Sequence, residues 1–526
     1  MPFQTRLFGG ALLALLLCAC GVNPVTGKKE LQFVSEAQEL KIGAENYAPM
    51  RQSEGGDLKV LPDLTSYVSG VGQKLAAVSD RKQLPYEFVV LNSSVPNAWA
   101  LPGGKIAVNR GLLTELRSES ELAAVLGHEI VHAAARHGAK AQERGTLLQA
   151  GLGLATIGAA VGGVDENVAG LVLQGAGVGA QLVQMKYGRD QELEADQYGM
   201  KYMKSAGYDP WGAVTLQESF VRLSTEGGAK QQSFLEGLFA SHPPSQERVE
   251  RNKQTAEMLG RGGEVGDAVY LARIKTLTEM KPAYDKYDKA LAAAQKKDYA
   301  QAKQLANEAV TLLPKEARFH QALGEIALAE KDPQKAIPYY EKAISLDPDY
   351  FGSYLGGGVA EYRVGNKSKA EEWLAKSAQL LPTAPAAYYL GELARGRGDT
   401  QKAMQYYQAA ASSQSDFGKQ AAGEYVRLDL PQNPGNYLVV AGQTSTTGRV
   451  YVVVQNRAPI AISDIRVTPV LVDAAGRVVQ SAPPVRFVRP IAPGERDALD
   501  AGVGALTQQQ MSALRFRIDG ARAAER

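Results

Sequence analysis

Apolar positions recur at helical spacing over 35–47 and 64–78, the arrangement that presents one face of a helix to a core. Over 84–91 and 105–109 they alternate instead, as in half-buried strands, with Pro96 and Pro102-Gly103-Gly104 marking loops or turns between the two. The stretch 119–137 reads as one helix, with Ser118 or Ser120 available to cap it and Gly138 to stop it, and 189–203 reads as another. Between them, 151–184 is dense in Gly, Ala, Leu and Val. Asp165, Glu166 and Asn167 interrupt it after about a dozen apolar residues, short of the roughly twenty a bilayer span needs. Two small-residue helices packed near a functional site are expected there, a peripheral membrane contact being the alternative.

Further along, an internal period takes over. Pro314, Pro348 and Pro382 stand 34 residues apart; Ala302, Ala336, Ala370 and Ala403 recur at 34, 34 and 33, and four residues after each come Ala306, Tyr340, Leu374 and Tyr407. Leu323-Gly324 and Leu390-Gly391 hold the matching earlier positions. This period resembles tetratricopeptide repeats, in which paired helices stack and bury each other's apolar faces. Where those repeats usually have Leu-Gly and Ala, the second unit has Gly357-Gly358 and Ser377. Beyond Pro431 and Pro434 the pattern becomes strand-like over 437–441, 449–455, 465–472 and 477–479, with a turn at 473–476 and 514–518 available as a further strand; a small β-sandwich is predicted.

With 526 residues the chain exceeds one ordinary core, and 45% hydrophobic with 22% charged residues is a globular composition. A net charge of +2, spread along the sequence, gives no field suited to phosphate backbones, so no nucleic-acid partner is expected. At the start, Arg6 precedes an apolar run over 8–17 that ends in Leu17-Cys18-Ala19-Cys20. This resembles the bacterial lipoprotein signal, which implies cleavage before Cys20 and lipidation of Cys20; a plain secretory signal cut nearby is the alternative. Both cysteines of the sequence lie here, so a chain beginning at Cys20 has neither a disulfide partner nor a cysteine metal site. Gly21 follows, where retention in the inner membrane resembles Asp, so the resemblance implies the outer membrane of a bacterium and a periplasmic location.

Two of five histidines fall in His128-Glu129-Ile130-Val131-His132. Four residues apart on a helix, both imidazoles project from one face and can bind one metal ion, and the carboxylate between them can take a proton from an attacking water. Incidental histidines on a helix are the bland alternative. A catalytic zinc site needs a third protein ligand and an open position. Sixty residues on, Glu192 and Asp196 share a face of the second helix, so Glu192 can complete a metal triad while Asp196 accepts a hydrogen bond from a ligand imidazole. An acidic solvated surface is the competing reading.

Together, the segments Asn97-Ala98-Trp99-Ala100-Leu101-Pro102-Gly103-Gly104, His128 to His132, Arg136-His137 and Glu192 to Asp196 resemble the gluzincin family containing the CAAX prenyl endopeptidases, HtpX and the periplasmic chaperone-protease BepA. The likeness runs from about Asn23 to Asn252, and the repeats suggest the BepA-like branch. It implies one zinc ion on His128, His132 and Glu192, with Glu129 as general base. Ser241-His242-Pro243-Pro244 resembles a loop of that branch whose His can approach the zinc; His242 is then a latch and possible fourth ligand, against readings as a transition-state donor or a surface loop histidine. His137 reads as a helix-end residue interacting with terminal carbonyls, His320 as packing, and Arg189 as a weak oxyanion candidate beside His242. The expected fold is mainly α: a signal peptide at 1–19, a helical gluzincin metalloprotease domain with a small β element over 20–262, an α-solenoid of tetratricopeptide repeats over 270–428 and a small β-rich domain over 435–522.

The resulting expectation is a lipid-anchored zinc endopeptidase acting on unfolded or misassembled envelope proteins. The strand at 105–109 is a candidate for pairing with an extended substrate, and the repeats are suited to binding protein segments or outer-membrane assembly machinery. Two alternatives stand beside it: a non-proteolytic chaperone or scaffold for outer-membrane protein assembly, and a small-peptide exopeptidase.

Overall fold

The computed structural model describes residues 20–141, 187–226, 238–239, 241–504 and 506–525; the leader and the small-residue stretch 151–184 lie outside them. Two compact units divide at Leu381/Pro382. The first opens with a hairpin of β1 (Cys20–Val22) and β2 (Lys29–Leu31), followed by α1 (Glu36–Ser53), which starts on a capping box formed by Ser35 and Gln38. Helix α1 runs past the predicted 47 because Met50 extends its buried stripe. In α2 (Pro62–Ala76), Leu64, Val68, Val71 and Leu75 form the predicted apolar face.

Three strands, β3 (Glu87–Leu91), β4 (Ala98–Leu101) and β5 (Lys105–Asn109), form a sheet in the order β3-β5-β4. Parallel β3 and antiparallel β4 occupy both sides of β5. The expectation that 105–109 pairs with substrate is therefore corrected, since both of its hydrogen-bonding edges are taken. Strand β4, which the sequence reading placed among loops, is buried at every position. With no solvent-facing side it lacks the period-2 alternation that marks a strand, and it lies at the sheet's edge.

After the short α3 (Arg110–Leu113) comes α4 (Glu119–Ala134), capped by Ser118 and buried along its whole length. It ends four residues before Gly138, because Arg136 adopts a left-handed φ of 61°. That conformation costs roughly 1–2 kcal/mol for an L-residue. It is offset by Arg136 bonds to the buried Glu39 carboxylate (2.9 Å) and Gln32 Oε1 (2.7 Å), and to the Val34 carbonyl. Next come α5 (Arg189–Ser205), α6 (Trp211–Glu226) and α7 (Gln246–Leu259).

A long helix, α8 (Asp267–Gln295), carries the core of this region into the repeats, with Tyr270, Ile274 and Leu277 in the same apolar cluster as Leu122 and Leu126 of α4. The repeats continue as α9 (Tyr299–Leu312), α10 (Ala317–Ala329), α11 (Pro333–Leu346), α12 (Phe351–Val364) and α13 (Lys367–Leu380). The periodic pairs Ala302/Ala306, Ala336/Tyr340 and Ala370/Leu374 are fully buried. Gly357, the departure in the second unit, has a reason: a Cβ there would sit 2.5 Å from Trp373, so the indole fills the space Leu323 occupies one repeat earlier. Polar ties fasten the repeats to the first domain, including Asn92 to Glu316 (3.1 Å), Arg318 to the Gly55 carbonyl (3.0 Å) and Lys59 to Asp349 (3.0 Å).

The second unit begins with α14 (Ala384–Gly396), α15 (Thr400–Ala411) and α16 (Asp416–Asp429). Two sheets follow. One has β6 (Leu438–Thr444), β7 (Val450–Asn456) and β11 (Arg496–Asp500) in the order β11-β7-β6; the other has β8 (Ile462–Val472) between β10 (Val485–Phe487) and β12 (Leu514–Ala523), with β9 (Val478–Ser481) on the end of β8. Alternate residues Val450, Val452 and Val454 share one buried cluster with Ile465, Val467 and Phe487, the interior of the predicted sandwich.

Candidate metal centre

Helices α4 and α5 touch at two glycines. A Cβ on Gly127 would meet the Gly199 carbonyl at 3.1 Å, and one on Gly199 would meet Gly127 and His128 backbone at 3.0 Å. This close approach carries Glu192, near the start of α5, over the two histidines of α4. His128 Nε2 and His132 Nε2 lie 3.0 Å apart; Glu192 carboxylate oxygens lie 3.5 Å from the first and 3.4 Å from the second. His242 Nδ1 is 3.3 Å from His128 Nε2 and 3.1 Å from Glu192 Oε1. All four residues are buried, which removes the surface-loop reading of His242.

These spacings test whether the residues fit a zinc ion. Donors on a tetrahedral zinc at bond lengths near 2.0–2.1 Å lie about 3.3 Å from one another; with the nearer Glu192 oxygen taken in each case the five separations above run from 3.0 to 3.5 Å, and the four donors all lie within 4.8 Å of one another, close enough to share one ion. The hydrogen bonding agrees. His128 Nδ1 lies 2.8 Å from Asp196 Oδ1, so its proton belongs on Nδ1 and Nε2 presents a bare lone pair to the cluster. Glu129 Oε2 is buried without a hydrogen-bond partner among the described residues, and its Oε1 lies 3.5 Å from His242 Nε2.

Burial and neighbouring charges shift the titrating groups of the site in different directions. Burial holds His132 well below the ordinary histidine value, the neutral form a cation requires. Burial alone would raise Glu192, but His242, His128 and His132 outweigh it and hold the carboxyl well below its usual range. Glu129 moves up, chiefly through burial. For His242, burial lowers the pKa but the Glu192 and Glu129 carboxylates prevail and raise it.

Several members of the site escaped the sequence reading. Arg248 is 4% exposed and grips Asp196 with two bonds of 2.7 Å, while its Nη1 sits 2.8 Å from Glu192 Oε2. A cation in the first turn of α7 runs against the helix dipole, a signal that it is engaged elsewhere. Tyr187 stacks on His132 with ring centroids 3.8 Å apart. His137 lies beyond the end of α4 and does not cap it; its Nδ1 is 2.9 Å from His132 Nδ1 and its Nε2 3.3 Å from Glu194. Arg189 points away, paired with Glu247 on the surface and 71% exposed, which removes it as an oxyanion donor. His320 is held by the Pro314 carbonyl at 2.9 Å.

A buried helix bearing His-Glu-x-x-His, crossed by a second helix that lends a carboxylate, is the framework of a metallopeptidase domain. Comparison with known proteins agrees: residues 62–256 match Peptidase family M48 and residues 287–351 match the tetratricopeptide repeat, so the chain carries an M48 peptidase domain with tetratricopeptide repeats behind it. Among its relatives, the mitochondrial metalloendopeptidase OMA1 of Schizosaccharomyces pombe is 32% identical over 43% of this chain and 64% of its own length. The beta-barrel assembly-enhancing protease of Yersinia pestis is 32% identical over 38% of this chain and 41% of its own. The protein of that name from Escherichia coli is 23% identical over 66% and 78%. The chain thus spans less than two thirds of the first two.

Proposed function

We propose that this chain is a zinc-dependent endopeptidase, lipid-anchored through Cys20 to the outer membrane and facing the periplasm, that cleaves unfolded or misassembled envelope proteins. The convergence of His128, His132 and Glu192 beside Glu129, whose Oε2 has no hydrogen-bond partner among the described residues, carries the reading. A zinc ion held by those three would supply Lewis acidity toward the peptide carbonyl and the attacking water. Glu129, its pKa raised by burial, takes the water's proton and passes it to the leaving amine. Asp196 orients His128, and Arg248 keeps Asp196 ionised while pairing with Glu192. Strand β4 offers an edge for an extended substrate, and a pocket lined by Val125, Met200, Met203, Leu216 and Phe220 alongside Glu129 receives an apolar side chain.

The place of His242 among the four possible metal donors supports reading it as a latch that leaves before substrate enters. The name shared by the Yersinia and Escherichia relatives supports a substrate among proteins destined for β-barrel assembly, and the repeats a protein-binding role. No helix among the described residues is long and apolar enough to cross a membrane. The latch position also favours a second reading, a chaperone or scaffold whose site stays closed. Zinc content and casein cleavage of wild type, Glu129→Gln and His242→Ala separate the two. The endopeptidase reading expects zinc in all three, no cleavage by Glu129→Gln and faster cleavage by His242→Ala; cleavage absent from wild type and His242→Ala alike, with zinc bound, favours the scaffold.

A further inference from the structure

His128 has its tautomer fixed directly by Asp196; among the described residues His132 has no carboxylate at its Nδ1 but His137 at 2.9 Å. From there a chain of contacts leads out of α4. His137 Nε2 faces Glu194 Oε1 of α5 at 3.3 Å, and the same oxygen accepts from Asn23 Nδ2 at 3.1 Å. We propose that the β1–β2 hairpin just after Cys20 is a positioning element for the metal centre: Asn23, through Glu194 and His137, fixes the tautomer of His132 and so sets how tightly the centre holds a divalent ion. This rests on His132 being a ligand.

Each link has one permitted direction. The Asn23 side chain is fully buried, and its Oδ1 accepts from Val25 N (2.9 Å) and Thr26 N (3.2 Å), so the amide cannot flip and Nδ2 must face Glu194 and Glu30. A carboxylate only accepts, so the His137 hydrogen sits on Nε2. A neutral imidazole carries one hydrogen, which leaves His137 Nδ1 bare and makes His132 Nδ1 the donor between them. His132 Nε2 is then bare and faces His128 Nε2 and Glu192. If the hydrogen sat on Nε2 instead, His132 could not bind a cation. Among the described residues the hairpin has little else to hold it: Val22 and Leu31 are about half exposed, and Val25 alone of its large apolar residues joins the core. Glu30 ion-pairs with Lys140, which follows α4, and Arg136 bonds Gln32. Docking of the hairpin and ordering of the zinc ligand are therefore coupled, and coupling is reciprocal: the ion should tighten the hairpin as the hairpin tightens the ion.

The test uses the full mature chain in detergent, with zinc affinity from chelator competition and hydrogen exchange of residues 22–31 with and without zinc. Loss of such an outer partner lowers metal affinity by ~10–100-fold, the fall expected for Glu194→Ala, with smaller falls for Glu194→Gln and Asn23→Ala. Because Asn23 acts through Glu194, the double variant Asn23→Ala/Glu194→Ala binds zinc no more weakly than Glu194→Ala alone. Zinc slows exchange of the hairpin in wild type and not in Glu194→Ala. Unchanged zinc affinity in Glu194→Ala and Glu194→Gln, additive losses in the double variant, or hairpin exchange indifferent to zinc in wild type would each overturn the proposal. A wild type that binds no zinc fails differently and overturns the peptidase reading itself.

Discussion

Replacing Arg248 by Met tests whether the site is an electrostatic unit or a set of packed side chains. The guanidinium is 4% exposed and faces two carboxylates, Asp196 through two bonds of 2.7 Å and Glu192 at 2.8 Å. Met fills much of the space and removes the charge, leaving both carboxylates buried. Breaking a buried pair in this way costs about 3–5 kcal/mol, against about 0–1 kcal/mol for an exposed pair. In the zinc-free chain, hydrogen exchange of the α4 amides should accelerate by roughly two to four orders of magnitude at pH 7.5. The effect has a sign with pH. Although burial opposes it, Arg248 and His128 depress the Asp196 pKa below its unfolded value. The stability this contributes is present above the unfolded value, about 3.9, and is lost as pH falls through the folded one. The gap between wild type and Arg248→Met is therefore full at neutral pH and narrows under acid conditions. An acceleration below about fivefold at pH 7.5, the size an exposed pair gives, would refute the reasoning.

Other consequences are equally accessible. Gly199→Val adds bulk where even a Cβ sits 3.0 Å from α4 backbone, so it forces α4 and α5 apart and abolishes zinc binding while circular dichroism stays helical; retained zinc would show that Glu192 does not depend on that contact. Trp373→Ala opens a cavity against Gly357 and costs about 3–5 kcal/mol, read as a lower denaturation midpoint, with peptide cleavage in the first domain unaffected at low temperature. Ala100→Pro on β4 blocks backbone pairing at that edge, and cleavage of unfolded protein should fall while zinc content holds; an undiminished rate removes β4 from substrate binding.

How much of this was legible in the residues depends on the kind of signal each part carries. The repeats announced themselves because Ala302, Ala336 and Ala370 must be small at each helix crossing, a constraint that recurs every 34 residues. The His-Glu-x-x-His helix was legible because its spacing alone sets a face. Strand β4 was not, since burial on both sides erases alternation. The helix stop was misplaced because Arg136, not Gly138, takes the left-handed turn, and what stabilises it there is Glu39, 97 residues away. The Asn23–Glu194–His137 chain is a set of long-range contacts between residue types that are ordinary one at a time, so no local pattern exposes it, and for Arg248 the local hint is its place in the first turn of α7. Gly127 and Gly199 carry a hint in hindsight: each is a glycine inside a helix, tolerated where two backbones must meet.

X-ray absorption at the zinc edge of the purified chain examines the centre most directly. One zinc per chain is expected, with a first shell of imidazole nitrogens and one carboxylate, losing a nitrogen in His242→Ala and largely lost from His132→Ala. A chain that takes up no zinc, or a zinc shell unchanged when His132 is removed, would contradict the assignment.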